Sequence, residues 1–150
     1  MSLIQDTIDD LASIHDGDAW HGPSLKEILA GVTAAQAAAR PLPNAHTIWE
    51  LVLHIVAWDD VFRTRLEGRP MNAPEEGDFP PVADASEAAW QKTLARVDET
   101  HRRLIDTIDR VTDEQATVPG KDYTVAYLLR SLARHQVYHA GQIMLLKKAA

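Results

Sequence analysis

TVAYLLRSLARHQVYHAGQIMLLKK, Thr124 to Lys148, returns an apolar residue every three or four positions from end to end. That period predicts a long α-helix with one face against a core. At 100° per residue from His135, Leu128, Leu132, His139, Gln142 and Leu146 fall within about 60°, whereas Arg130, Arg134, Gly141 and Lys148 lie about 100° or more away. His135 and His139 therefore share the inward face. Residues at i and i+4 stack with their Cβ atoms roughly 5 to 6 Å apart, so both rings can converge on one ion. The alternative is a pair of ordinary core histidines, each bonded to a neighbour.

Working outward, the same period recurs in TIWELVLHIVAWDDVF, Thr47 to Phe62. Asn44 to Thr47 supply capping residues, and Gly68 and Pro70 stop the predicted helix near Glu67. Leu3 to His15 carries Ile4, Ile8 and Leu11 on one side and ends in Asp16-Gly17-Asp18. Pro23 and Ser24 open a short helix through Leu25, Ile28 and Leu29. From Ser86 to about Val111, Trp90, Leu94, Val97, His101, Leu104 and Ile108 alternate steps of four and three. RPMNAPEEGDFPPVADA, residues 69–85, holds four of the eight prolines and reads as a long connection.

The halves also echo each other. VTAAQA (Val32 to Ala37) precedes the His54 helix, and VTDEQA (Val111 to Ala116) precedes the last one. A repeated helix, turn and long-helix unit predicts an all-α four-helix bundle, with a long crossover between the second and third bundle helices and a short N-terminal helix. At 150 residues one domain, 1–150, is expected, able to bury about 68 to 70 % of its unfolded surface.

Composition narrows the function. With no cysteine there is no disulfide framework, no Cys-ligated zinc and no thiol nucleophile of the chain's own, so a metal must be held by N and O ligands. The net charge of -7 and the scattered Lys and Arg argue against a nucleic-acid surface. Arg130, Arg134 and Lys148 form the best basic stripe and read as a solvated outer face. No run of 18 apolar residues and no basic leader precede the first helix, so a cytoplasmic protein without a membrane partner is expected.

The remaining histidines divide by context. His54 shares its stripe with Leu51, Trp58 and Val61 and reaches the His135 and His139 pair if the two helices are neighbours. Otherwise it is a boundary histidine bonded to Glu50, one turn earlier, a residue that could also orient the ring. His101 interrupts an apolar stripe as a fourth ligand, a supporting hydrogen-bond donor or a core histidine, the last favoured. His21, in AWHGPSL, precedes a helix start where loop residues can rim a pocket. His15 and His46 read as terminal or capping residues.

With AWHGPSL at 19–25, TIWELVLHIVAW carrying His54, and HQVYHAGQ from His135 to Gln142, nearly the whole chain resembles the DinB and YfiT-like superfamily of metal-dependent enzymes. The resemblance implies a four-helix bundle with a crossover and a divalent metal held by His54, His135 and His139. It also makes a homodimer plausible. Relatives include transferases and isomerases that use low-molecular-weight thiols such as bacillithiol or mycothiol, and others labelled hydrolases, so the family indicates the site better than the substrate.

Three neutral imidazoles would leave open positions on the ion, the pattern of catalytic sites. Zinc is the simplest candidate, with nickel or iron also suited to imidazole. Gln136 stands where a zincin protease has its Glu base, which disfavours proteolysis. The expectation is an enzyme that activates a thiol or water toward a small electrophile, in a pocket rimmed by His21, Trp20 and the 69–85 connection, with Gln142 as helper and Tyr138 as a weaker one. The alternative is a non-catalytic protein in which the ion ties helices together.

Overall fold

The computed structural model describes residues 2–149, which fold into six α-helices with no strand among them. Four are long: α1 (Leu3–Asp16), α4 (Ile48–Leu66), α5 (Glu87–Asp109) and α6 (Val125–Ala149), with the short α2 (Leu25–Leu29) and α3 (Ala34–Ala38) between the first two. Each of α4 and α1 packs on both α5 and α6, so the four close a bundle. The chain runs from α4 to α5 through the long crossover.

The helix starts follow capping chemistry. Ser2, Ser24, Thr33, Thr47 and Ser86 each accept a bond from the backbone N–H three residues on, and Thr124 does the same for Tyr127. At the end of α4, Gly68 takes φ of 80° while Arg69 N–H returns to the Thr64 carbonyl. A left-handed residue there is what glycine tolerates best.

α4 is buried on most of its circumference, through Trp49, Leu51, Val52, Ile55, Val56 and Val61 among others, as befits a central helix. α5 buries one stripe, Trp90, Val97, Leu104 and Ile108. Trp90 is wholly enclosed, its indole N–H bonded to the Val32 carbonyl at 2.8 Å and its ring edge-on to Trp49 at 5.0 Å. Truncating such a side chain to alanine costs about 3 to 5 kcal/mol.

The echoed strings part company in three dimensions. Thr33 and Gln36 form a reciprocal capping box and start α3, whereas Thr112 to Ala116 make a turn. There the backbone is claimed by the 116–125 loop, in which Val118 bonds Tyr123, Val125 bonds Ala116 and Ala126 bonds Glu114.

The crossover is pinned at both flanks. Buried Arg65 donates to the carbonyls of Met71 and Asn72 and to the Tyr123 hydroxyl, and Arg96 of α5 pairs with Glu76. These ties lay Asp78 and Phe79 across the middle of α4.

Candidate metal centre

His54 lies mid-way along α4 and is 6 % exposed. Its Nδ1 is 2.6 Å from the Asp78 backbone carbonyl and 3.3 Å from the Asp78 carboxylate. A carbonyl only accepts, so Nδ1 carries the proton and Nε2 turns a lone pair inward. The Phe79 ring stacks on His54 at 4.1 Å and on His46 at 3.6 Å, both nearly parallel. Two rings that close cannot share one face of Phe79, so it is sandwiched and blocks rotation of His54. The Asp78 carboxylate is itself held by the Trp58 indole N–H at 2.7 Å.

From α6, His139 is equally enclosed, and its Nδ1 meets Gln142 Oε1 at 2.7 Å. That acceptor assigns the proton to Nδ1 and leaves Nε2 free. His135, one turn earlier, brings its Nε2 to 3.2 Å from His54 Nε2. One ligand atom from each of the three rings lies within 4.8 Å of the others, and no other His, Asp or Glu trio among the described residues is so arranged.

The electrostatics keep the two α6 rings neutral. Burial, then the neighbouring His139 and His54, pushes His135 down to about 4. Burial also lowers His139, against the opposing bond to Gln142. Neutral imidazoles are the metal-binding form.

Three such nitrogens facing one another present an unmet demand. If His135 turns Nε2–H toward His54, its Nδ1 becomes a buried acceptor, and that atom has no partner. If Nδ1 holds the proton instead, three lone pairs oppose each other at the centre. Either arrangement leaves a polar group unsatisfied, at about 1 to 3 kcal/mol. A cation at the centre would accept all three lone pairs, so these residues fit a divalent ion.

Other expectations meet different surroundings. Glu50 does not reach His54, because it serves the Thr47 capping box and bonds Arg40 and His46. The pattern Thr47-x-x-Glu50 was the available signal. His101 is no ligand to the trio and is half-buried rather than a core residue, its ring stacked on His15 at 3.9 Å. His15, read as a terminal or capping residue, sits in the last turn of α1, where it is buried and bonded to Asp98 at 3.0 Å because α1 packs against α5. His46 caps nothing; it stacks on Phe79 and bonds Glu50.

His21 and Trp20 do not join the trio. They line a separate groove of about 490 Å³ between α1 and α6, on the Ala133, Arg134, Val137 and Tyr138 face. That face lies roughly 150° around α6 from the two histidines. Of the expected rim, only the crossover reaches the centre.

Gln136 explains itself by its partner. It is buried and donates to Asp59 Oδ2 at 2.9 Å, joining α6 to α4. Burial pushes the Asp59 carboxyl up to about 7, aided by Asp60 and opposed by the Gln136 bond.

A profile of the DinB superfamily matches residues 19–143, a span that includes all three histidines. The chain belongs to the DinB superfamily. No curated protein and no solved structure matches it. For a DinB superfamily member the helical bundle is the expected architecture, and the buried histidine trio is compatible with metal binding. Asp78 and Phe79, which orient His54 from the crossover, had no counterpart in the sequence reading: a backbone carbonyl leaves no residue signature.

Proposed function

We propose that this DinB superfamily protein is an enzyme whose divalent metal, held by His54, His135 and His139, activates a thiol or water toward a small electrophile. The observation carrying this reading is the convergence of three imidazole nitrogens, two of them on rings that burial keeps neutral, with no proton arrangement that satisfies every buried nitrogen. Such an ion supplies Lewis acidity, lowering the pKa of a coordinated thiol or water. The chain's own residues do the rest: Asp78 and Gln142 fix the tautomers of His54 and His139, and Phe79 fixes a ring plane.

Zinc is the simplest occupant, with nickel or iron as alternatives. Asp78, the carboxylate against the trio, is already engaged by Trp58 and His54. A water nucleophile would want a free base, so a low-molecular-weight thiol is favoured. Gln136 faces Asp59, which supports setting zincin-type proteolysis aside. Such a protein would act in the cytoplasm as a homodimer on a small molecule, with no nucleic-acid or membrane partner.

The non-catalytic reading, an ion that merely ties α4 to α6, has less to do here. Those helices are already joined by apolar packing and the Asp59 to Gln136 bond.

Metal analysis of protein purified without a polyhistidine tag tests the site, with His139→Ala as control. About one ion per chain is expected, lost in the variant; equal metal in both would refute the assignment. Incubating the metal-loaded protein with small thiols and monochlorobimane tests the chemistry. Failure across several thiols together with turnover of esters or amides would make it a hydrolase.

A further inference from the structure

A second cleft, of about 330 Å³, borders the histidine trio between the 42–46 turn, α4 and α6. Leu42, Leu51, Leu145 and Leu146 supply its apolar wall, while His46 and Gln142 stand on its polar side. Two separate links tie it to the centre. Gln142 lines the cleft and bonds His139, and His46 lines it and stacks on Phe79, whose ring stacks on His54. The larger groove beside Trp20 meets the trio through Tyr138, whose ring stands edge-on to His139 at 5.0 Å, without a hydrogen bond to any of the three histidines.

The chemistry of the lining selects a ligand. Charges at its edge are spoken for: Glu50 bonds both Arg40 and His46. Gln142 spends its oxygen on His139, which leaves the amide NH₂ as a donor beside the trio. Leu42 and Leu145 are left exposed at the rim, although apolar side chains of this size gain from cover. At roughly 30 Å³ per non-hydrogen atom, taken from the share of a liquid water, the cleft holds about ten such atoms. Its size and largely apolar lining are those of a small-molecule site.

We propose that this cleft binds an uncharged organic molecule of about ten non-hydrogen atoms, its apolar body against the leucines and a carbonyl oxygen directed to the Gln142 amide. The assignment gives the proposed metal enzyme its substrate class and depends on that reading for its catalytic meaning, while the binding itself needs no metal.

Octanamide titrated into isotope-labelled protein, metal-free and zinc-loaded, provides the test by NMR. Saturable shifts are expected on the methyl groups of Leu42, Leu51, Leu145 and Leu146 and on the Gln142 side-chain amide. Leu145→Glu alters an exposed rim position, so the fold survives, and it should weaken binding about tenfold. Gln142→Leu should weaken it about fivefold. In metal-free protein octanoate should bind about tenfold less tightly than octanamide. No saturable shift, shifts mapping to Ala133 and Val137 instead, or unchanged affinity in Leu145→Glu would overturn the proposal. Zinc uptake is measured separately. Octanamide binding without zinc uptake would refute the metal centre and uphold the cleft; zinc uptake without octanamide binding would do the reverse.

Discussion

His54 donates its Nδ1 proton to the backbone carbonyl of Asp78, 24 residues away on the crossover, at 2.6 Å. The main chain of a connection, rather than a helix neighbour, thus sets the tautomer of the α4 histidine. Asp78→Ala retains that carbonyl and loses only the carboxylate contact and the Trp58 bond. Its zinc affinity should fall by about tenfold, the lower end for groups that orient a ligand, and His54→Ala should lose far more. Competition with a chelator of known affinity measures both. Equal losses would mean that the carboxylate, not the carbonyl, orients the ring.

Asp59 and Gln136 predict a pH dependence of stability. The folded carboxyl titrates at about 7 and the unfolded one near 3.8, so between those values the native state holds the extra proton. Stability from this group is present below about pH 3.8 and is lost as pH rises toward 7. Asp59→Asn keeps a neutral partner for Gln136 and removes the slope. Its advantage over the parent in urea unfolding should grow by on the order of 2 kcal/mol from pH 5 to pH 8. Gln136→Glu, which restores the zincin spelling, should destabilise at high pH and gain no proteolytic activity, because it sets two buried carboxyls face to face.

His101 predicts the opposite slope. Burial, with His15 adding to it, holds this ring down to about 4, against an ordinary 6.5, while Asp98 and Asp16 pull weakly the other way and Lys26 bears on the stacked His15. Between those values the unfolded chain binds the proton and the native one does not, so stability falls as pH drops from about 6.5 to 4. His101→Leu should lose on the order of 2 kcal/mol less than the parent over that interval in urea titrations. An identical loss in both would show that His101 is protonated in the native state.

Chelation should leave the bundle standing. The apolar contacts around Trp49, Val52, Ile55 and Trp90 and those around Leu11, Leu104 and Leu132 do not involve the trio. Far-UV circular dichroism should therefore be unchanged by a chelator, with the ion readily exchanged. Collapse of the helical signal would favour a structural ion.

Much of this was legible before any coordinates. Apolar periodicity set the long helices; Ser86 marked the start of α5, and the capping residues Asn44 to Thr47 bracketed that of α4. His135 and His139 were legible because i, i+4 spacing is local geometry. His54 needed helix adjacency, which periodicity alone does not supply, and the family resemblance bridged that gap. Contacts between segments far apart in sequence stayed hidden: the Asp78 carbonyl, the Phe79 ring, and Asp59 beneath Gln136. The hydrogen-bonding competition for Glu50 went to its own helix start, and the groove holding Trp20 and His21 lies on the far face of α6.

His54 Nε2 and His135 Nε2 touch across 81 residues of chain. At about 5 to 20 residues per second, a ribosome takes roughly 4 to 16 s to make that interval. Until then His54 has only Asp78, Phe79 and its α4 neighbours for company. The three-nitrogen cluster exists only in chains whose last helix has been synthesised, so prematurely terminated products ending after α5 would not compete with finished protein for a scarce ion.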